Sequence, residues 1–166
     1  MQTKKQKAKS IAEAISINNE KAYELSLESF SYGVFKIGGD FSEYKGYMKE
    51  DPALYVDWDP KEKRYVAAKI EYEINLWFSK KDKLDTIAFY KHCYYRGNDL
   101  IGMSIFKFLS LINKEPNSVE IGWVPTKDDN HGQNQRSYVF YFPHSKAIIL
   151  WTWRKRIKNI MIYDNR

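Results

Sequence analysis

Cysteine is almost missing from this chain: Cys93 stands alone, so no internal disulfide can form, and a reducing compartment fits that usage. Histidine is nearly as scarce. His92, His131 and His144 are scattered, and none has a second His or Cys at a ligand spacing, which argues against zinc. No apolar run approaches the roughly 20 residues that a membrane-spanning helix requires. The longest are 101–112, broken by Lys107, and 147–153. Lysines at positions 4, 5, 7 and 9 are not followed by an uninterrupted apolar stretch, so no secretory signal is expected and the location is read as cytoplasmic. Gly38-Gly39-Asp40 lacks the Lys-Ser or Lys-Thr of a phosphate loop, and Lys127-Asp128-Asp129-Asn130 lacks the spacing and terminal Glu of a calcium loop. The chain reads as free of internal repeats, low-complexity tracts and linkers.

Aromatics and unevenly placed charge are what the sequence does have. Five Trp, thirteen Tyr and nine Phe in 166 residues exceed the needs of one core, which leaves some for cross-strand pairs or stacking. The net charge of +6 sits in the last 36 residues, where seven Lys or Arg face only Asp164, whereas residues 1–130 hold twenty of each sign. Such a patch attracts polyanions by counterion release, so nucleic acid is an expected partner. Within it, Trp153, Arg154, Lys155, Arg156 and Lys158 mix an indole with cations, the combination that stacks bases and holds phosphates. The plainer reading is that these cations solubilise an apolar strand region and that the tryptophans belong to the core.

Periodicity predicts an α+β chain forming a single domain over 1–166. One or two helices are expected within 3–29, a short strand over 32–37, and a loop or short helix over 40–50. A hairpin over 53–78 contains a long strand from Tyr65 to Phe78, in which Val66, Ala68, Ile70, Tyr72, Ile74, Leu76 and Phe78 alternate with other residues. Thr86 to Tyr95 is expected to pair back on that strand. A buried helix over about 98–113, capped by Asn98 or Asp99, carries Ile101, Ile105, Phe108, Leu109 and Ile112 on one face. Strands follow at 119–124, 138–142, 147–153 and 157–163, giving a largely antiparallel twisted sheet.

The polar face of the long strand carries Lys69, Glu71, Glu73 and Asn75 in file. If Trp58 and Arg64 close the hairpin, Val56 faces Val66 and Leu54 faces Ala68, and the same register sets Asp51 opposite Glu71 and Lys49 opposite Glu73. Confronted carboxylates need a cation. Mg²⁺ takes oxygen ligands and few carboxylates, so Asp51 and Glu71 suffice to hold it with Glu73 helping, while Lys69 or Lys49 orients a water. Asp57 and Asp59, beside Pro60, are expected to form the turn.

Residues 1 to about 124 resemble the core of the PD-(D/E)xK nuclease superfamily in their order of helix, three strands, helix and strand. Asp51, within Asp51-Pro52, matches that family's first acid, and Glu71-Tyr72-Glu73 matches its Glu-x-Lys, with Glu in place of the lysine. The resemblance implies a Mg²⁺-dependent phosphodiester hydrolase with Asp51, Glu71, Glu73 and Lys69 as catalytic residues. The alternative is a protein-interaction module, an inhibitor or immunity-type protein without catalysis, that offers an aromatic sheet and basic edge to an acidic partner. A small-ligand pocket under a curved sheet is a third option.

Overall fold

Buried residues recurring at alternate positions along successive strands build the molecule around one face of a sheet. The computed structural model describes residues 24–50, 54–69, 74–125 and 132–166. Its elements are β1 (Leu25–Ser26), β2 (Ser31–Tyr32), β3 (Phe35–Lys36), α1 (Phe41–Glu50), β4 (Leu54–Asp59), β5 (Arg64–Lys69), β6 (Ile74–Phe78), β7 (Leu84–Phe89), β8 (Tyr94–Tyr95), β9 (Asn98–Asp99), α2 (Ile105–Ile112), β10 (Ser118–Pro125), β11 (Gly132–Phe142), β12 (Lys146–Trp153) and β13 (Arg156–Asp164). Eight strands form one antiparallel sheet in the order β10-β11-β12-β13-β7-β6-β5-β4. No described helix is long and apolar enough to cross a membrane.

Directly paired residues share a face, so the registers define the core. Ala67, Leu76, Ile87, Ile162, Ile148 and Phe140 make one continuous row across six strands, every member essentially without solvent contact. Helices and the small β1-β2-β3 sheet cover this side. Phe108 of α2 meets Phe140 edge-on at 5.7 Å, Phe41 of α1 stacks on Tyr65 at 4.2 Å, and Tyr32 packs on Phe89 at 4.6 Å. Deleting a ring such as Phe108 would leave a cavity costing about 3–5 kcal/mol.

The two halves of the sheet repeat each other, contrary to the expectation of no internal repeat. Each half is a glycine loop, a helix and four strands. Gly38 N–H donates to Leu84 O, Leu84 N–H to Gly39 O, and Phe41 N–H to Asp82 O; Gly102, Ile157 and Ile105 make the same three bonds to Ile157 O, Met103 O and Lys155 O. Both glycines have positive φ, 90° and 83°, a region closed to most side chains. Isolated bridges Asp40↔Lys83 and Ser104↔Arg156 also correspond. The sheet order is symmetric about the β7–β13 seam, where Ala88 opposite Met161 lies on the pseudo-two-fold axis. The likeness reaches side chains: Ile74-Asn75-Leu76-Trp77 matches Ile148-Ile149-Leu150-Trp151, and Ile87-Ala88-Phe89-Tyr90 matches Ile160-Met161-Ile162-Tyr163.

One difference between the halves has a clear steric cause. In the first, the Tyr44 hydroxyl donates to Lys36 O and accepts from Lys36 N–H, both at 3.1 Å. It lies where a Cβ on Gly39 would be, so residue 39 has no side chain. In the second half the corresponding ring is Phe108, without a hydroxyl, and the corresponding loop position holds buried Met103.

Several expectations are corrected. The strand expected from Tyr65 to Phe78 is two antiparallel strands, β5 and β6, with Lys69 opposite Ile74. The β4–β5 register is one residue from that expected: Asp59 faces Arg64, Trp58 faces Tyr65 and Val56 faces Ala67. This keeps Val56 on the same face as buried Ala67 and Leu76. The strand expected over 32–37 is a tight hairpin, β2 and β3, and Leu25–Ser26 is strand where a helix was expected to reach residue 29. The remainder of that helix lies outside the described residues. The helix expected from 98 begins at 105, because Asp99 spends its Oδ1 on the N–H groups of Cys93 and Ile101, both at 3.1 Å, in a turn preceding Gly102. It ends at Asn113, whose left-handed conformation closes the last turn.

Candidate functional site

The loop between β12 and β13 is a two-residue hairpin tip, since Trp153 pairs with Arg156. Such a loop requires positive φ at both positions, which is why Asn-Gly is the common solution. Here the two residues are Arg154 (φ 50°) and Lys155 (φ 62°). A side-chain-bearing residue in that region costs about 1–2 kcal/mol, so two long cations are held at the tip against backbone preference. The β11–β12 loop likewise has positive φ at His144 and Ser145 (60° and 57°), so the strain belongs to the hairpin loops of the sheet, and it is the two cations that distinguish this tip.

Around the tip, cations and rings converge. The Arg154 guanidinium lies 4.3 Å from the Trp153 ring centre and the Lys158 ammonium 5.4 Å from it, while the Lys155 ammonium approaches Phe106 of α2 at 5.7 Å. Lys158 occupies the bulge between Trp151 and Thr152, so its side chain is set out of the regular alternation. Arg156 donates from Nη1 to Gly102 O at 2.9 Å, which ties the tip to the loop before α2. Arg154, Lys155, Arg156 and Lys158 are all exposed, and none forms an ion pair with a described carboxylate.

Beside the tip lies a groove of about 530 Å³, lined among others by Asp99, Gly102, Ser104, Lys107 and Arg156. Ser104 sits at the N-cap of α2 without a side-chain capping bond, and the first turn of the helix carries no acid. The positive end of the helix and two exposed cations favour anions, opposed by the one carboxylate of the lining, Asp99, which is engaged with His92 Nδ1 and the N–H groups of Cys93 and Ile101. All five residues expected in the nucleic-acid interface, Trp153, Arg154, Lys155, Arg156 and Lys158, come together here. Phe106, Lys107 and Ser104 were not expected, because starting the helix at 98 places them in its interior rather than at its first turn.

The expected metal site cannot be assembled from the described residues. Asp51, Glu71 and Glu73 lie outside them, and Lys69 is the last residue of β5. Lys49 belongs to α1 rather than to a strand facing Glu73, and with the register shifted by one residue the opposition of Asp51 to Glu71 no longer follows from β4 and β5. Among the described residues no group of three or more His, Cys, Asp or Glu could hold a metal ion. Asp59 does form the turn, accepting at Oδ1 from Lys61 and Glu62 N–H at 2.9 and 3.1 Å, and Asp57 Oδ1 accepts from Trp58 N–H at 2.7 Å.

His92 lies between β7 and β8 and is part-exposed. Its Nδ1 lies 2.6 Å from Asp99 Oδ2 and its ring stacks on Tyr94. Cys93 beside it is fully buried, and burial pushes its thiol well up, with the charge of Asp99 adding to the effect; it is no nucleophile at neutral pH.

The other face of the sheet has a different character. Trp77, Thr86, Tyr163, Ala147 and Tyr141 form one directly paired row, and Asn75, Ala88, Met161, Ile149 and Val139 the next. None carries a charge. Arg64 Nε, Gln135 Oε1 and Asn159 Oδ1, set on this face by their register, and Asp85 Oδ1 at its bulge are buried without a protein hydrogen-bond partner. A groove of about 440 Å³ here is lined by Arg64, Trp77, Thr86, Ile149, Met161 and Tyr163. No family model, curated protein or solved structure matches this chain.

Proposed function

We propose that the protein binds nucleic acid through the basic tip of the β12–β13 hairpin and the adjoining first turn of α2. The observation that carries this reading is the exposed group Arg154, Lys155, Arg156, Lys158 and Lys107, gathered beside Trp153 and Phe106 and free of described carboxylate partners. Cations of this density engage phosphates, and rings among them stack bases. Fluorescence anisotropy with labelled single- and double-stranded oligonucleotides over a salt series tests it. The slope of log K against log salt is about −0.9 per neutralised phosphate on duplex and about −0.7 on single strands. Affinity independent of salt, or unchanged in an Arg154→Glu, Lys158→Glu variant, would rule it out.

The enzymatic form of this proposal is a Mg²⁺-dependent nuclease using Asp51, Glu71, Glu73 and Lys69, with Asp51 and Glu71 on the metal. Cleavage by wild-type protein with Mg²⁺ or Mn²⁺, abolished in Asp51→Ala and Glu71→Ala, would establish it; intact nucleic acid leaves a binding protein.

A second reading, a protein-interaction module without catalysis, draws support from the uncharged, partly aromatic rows through Trp77 and Tyr163 and the buried unpaired polar atoms beside them. Half-buried aromatic side chains suit interfaces, and buried polar atoms ordinarily have a hydrogen-bond partner. This reading expects high affinity for one acidic protein and only weak, strongly salt-suppressed oligonucleotide binding.

A further inference from the structure

β10 is an outer strand of the large sheet, paired only with β11 among the described residues. Its residues Val119, Ile121 and Trp123 alternate onto one face and are 48, 69 and 60 % exposed. Edge strands are ordinarily guarded by lysine, bulges, inward charges or shortness. β10 has eight residues in unbroken register, no lysine, one charged residue, Glu120, and proline only at its last position, Pro125. The opposite edge, β4, is guarded: it is shorter and carries Asp57 and Asp59. An exposed edge of this length and composition is a template for another strand.

We propose that two copies of the chain associate by antiparallel pairing of β10 with β10, on a two-fold axis at Ile121. The sequence Val119-Glu120-Ile121-Gly122-Trp123 pairs with itself along its whole length in that register. Ile121 then faces Ile121 of the second copy, Val119 faces Trp123, and Trp123 faces Val119, so each apolar side chain on the exposed face meets another. On the reverse face Glu120 meets Gly122 instead of a second Glu120, which removes the like-charge contact that an axis at Glu120 would impose. A shift of the axis by one residue also sets Val119 against Ile121 and leaves Trp123 without a directly facing residue of the same set. The pairing is closed, because the remaining outer edges of the joined sheet are both β4, with their aspartates.

Sedimentation velocity of the full chain over a concentration series is the first test, with a dimer expected. Ile121→Lys, at a solvent-exposed position, places like charges on the axis, and the expected result is loss of the dimer at concentrations where wild type is fully dimeric. Register is tested by oxidation, since Cys93 is buried and does not compete. Ile121→Cys is expected to form a disulfide-linked dimer by itself, whereas Val119→Cys and Trp123→Cys cross-link only when mixed. Wild type sedimenting as a monomer at every concentration, as a strand supplied by a different protein would require, overturns the proposal. So does a dimer that Ile121→Lys leaves intact or one in which Val119→Cys links to itself.

Discussion

Trp77 and Trp151 occupy the same place in the two halves of the sheet, each the last regularly paired residue before a one-residue bulge, with Asp85 as the extra residue in one half and Lys158 in the other. A bulge kept at the same point in both halves re-aims the following side chain in each. In the first half this gives a half-buried carboxylate, and in the second an ammonium beside Trp153. The halves share a backbone but present opposite charge.

Equivalence of the halves predicts equal sensitivity at their loop glycines. Gly38 and Gly102 have positive φ, and a Cβ on either meets nothing within 4 Å, so Ala costs backbone strain alone. Gly38→Ala and Gly102→Ala are each expected to lose roughly 1 kcal/mol, read as a lower urea midpoint at unchanged slope. Costs differing by more than twofold would mean that the two loops are not doing the same job.

Gly39 behaves differently, because a Cβ there overlaps the Tyr44 hydroxyl. Gly39→Ala is expected to destabilise by about 1–3 kcal/mol as overpacking. Adding Tyr44→Phe removes the overlapping oxygen, so the double variant should be more stable than the sum of the single losses predicts. Strict additivity in equilibrium unfolding would count against the steric cause.

The strained hairpin tip predicts a conflict between stability and binding. Replacing Arg154-Lys155 by Asn-Gly suits both positive-φ positions and is expected to raise stability by about 1 kcal/mol or more. The same change removes two cations from the proposed interface, so oligonucleotide affinity should fall and the salt slope should shrink by roughly one unit per lost phosphate contact. Thermal melts and anisotropy on the same sample decide this; affinity that survives intact places binding elsewhere.

Two aspartates set opposite pH dependences. Hydrogen bonds from Arg166, with Lys146 adding its own at 2.9 Å, hold the Asp164 carboxyl down at about 2. Its folded value lies below the ordinary one, so its stabilisation is fully present above the ordinary carboxylate range and is lost as pH falls toward 2. Asp164→Asn should therefore be less stable than wild type at neutral pH, with the gap closing in acid. Burial pushes the Asp85 carboxyl up, partly offset by Thr86 and Arg64. The sign reverses: ionisation costs the folded state, so Asp85→Asn should be the more stable protein at pH 7 and show no gain below the ordinary carboxylate range. Chemical denaturation at several pH values checks both.

The sequence made the strands legible, because alternation is a local property. Phe140, Ile148, Leu150, Ile160 and Ile162 announce their burial by spacing alone. The separation of β5 from β6 was not legible, since the alternation from Tyr65 to Phe78 carries no Gly or Pro to divide it. The late start of α2 was hidden for a related reason: Asp99 and Ser104 both read as caps, and only the bonds of Asp99 to Cys93 and Ile101 separate them. The duplication was present in the order of a helix and four strands occurring twice. It escaped notice because the matching residues, such as Trp77 and Trp151, stand within segments whose helices have little identity. The basic tip was found from composition, but its neighbours Phe106 and Lys107 reach it only through tertiary contact.

The seam between β7 and β13 carries a consequence for biosynthesis. Phe89 and Ile87 find their strand partners Ile160 and Ile162 only after the whole second half has left the ribosome. Until then the first half displays an apolar strand with one side unpaired, at the centre of what becomes the sheet rather than at its β4 rim. Nascent chains truncated between the halves should depend on a chaperone, while full-length chains released from the same ribosomes should not.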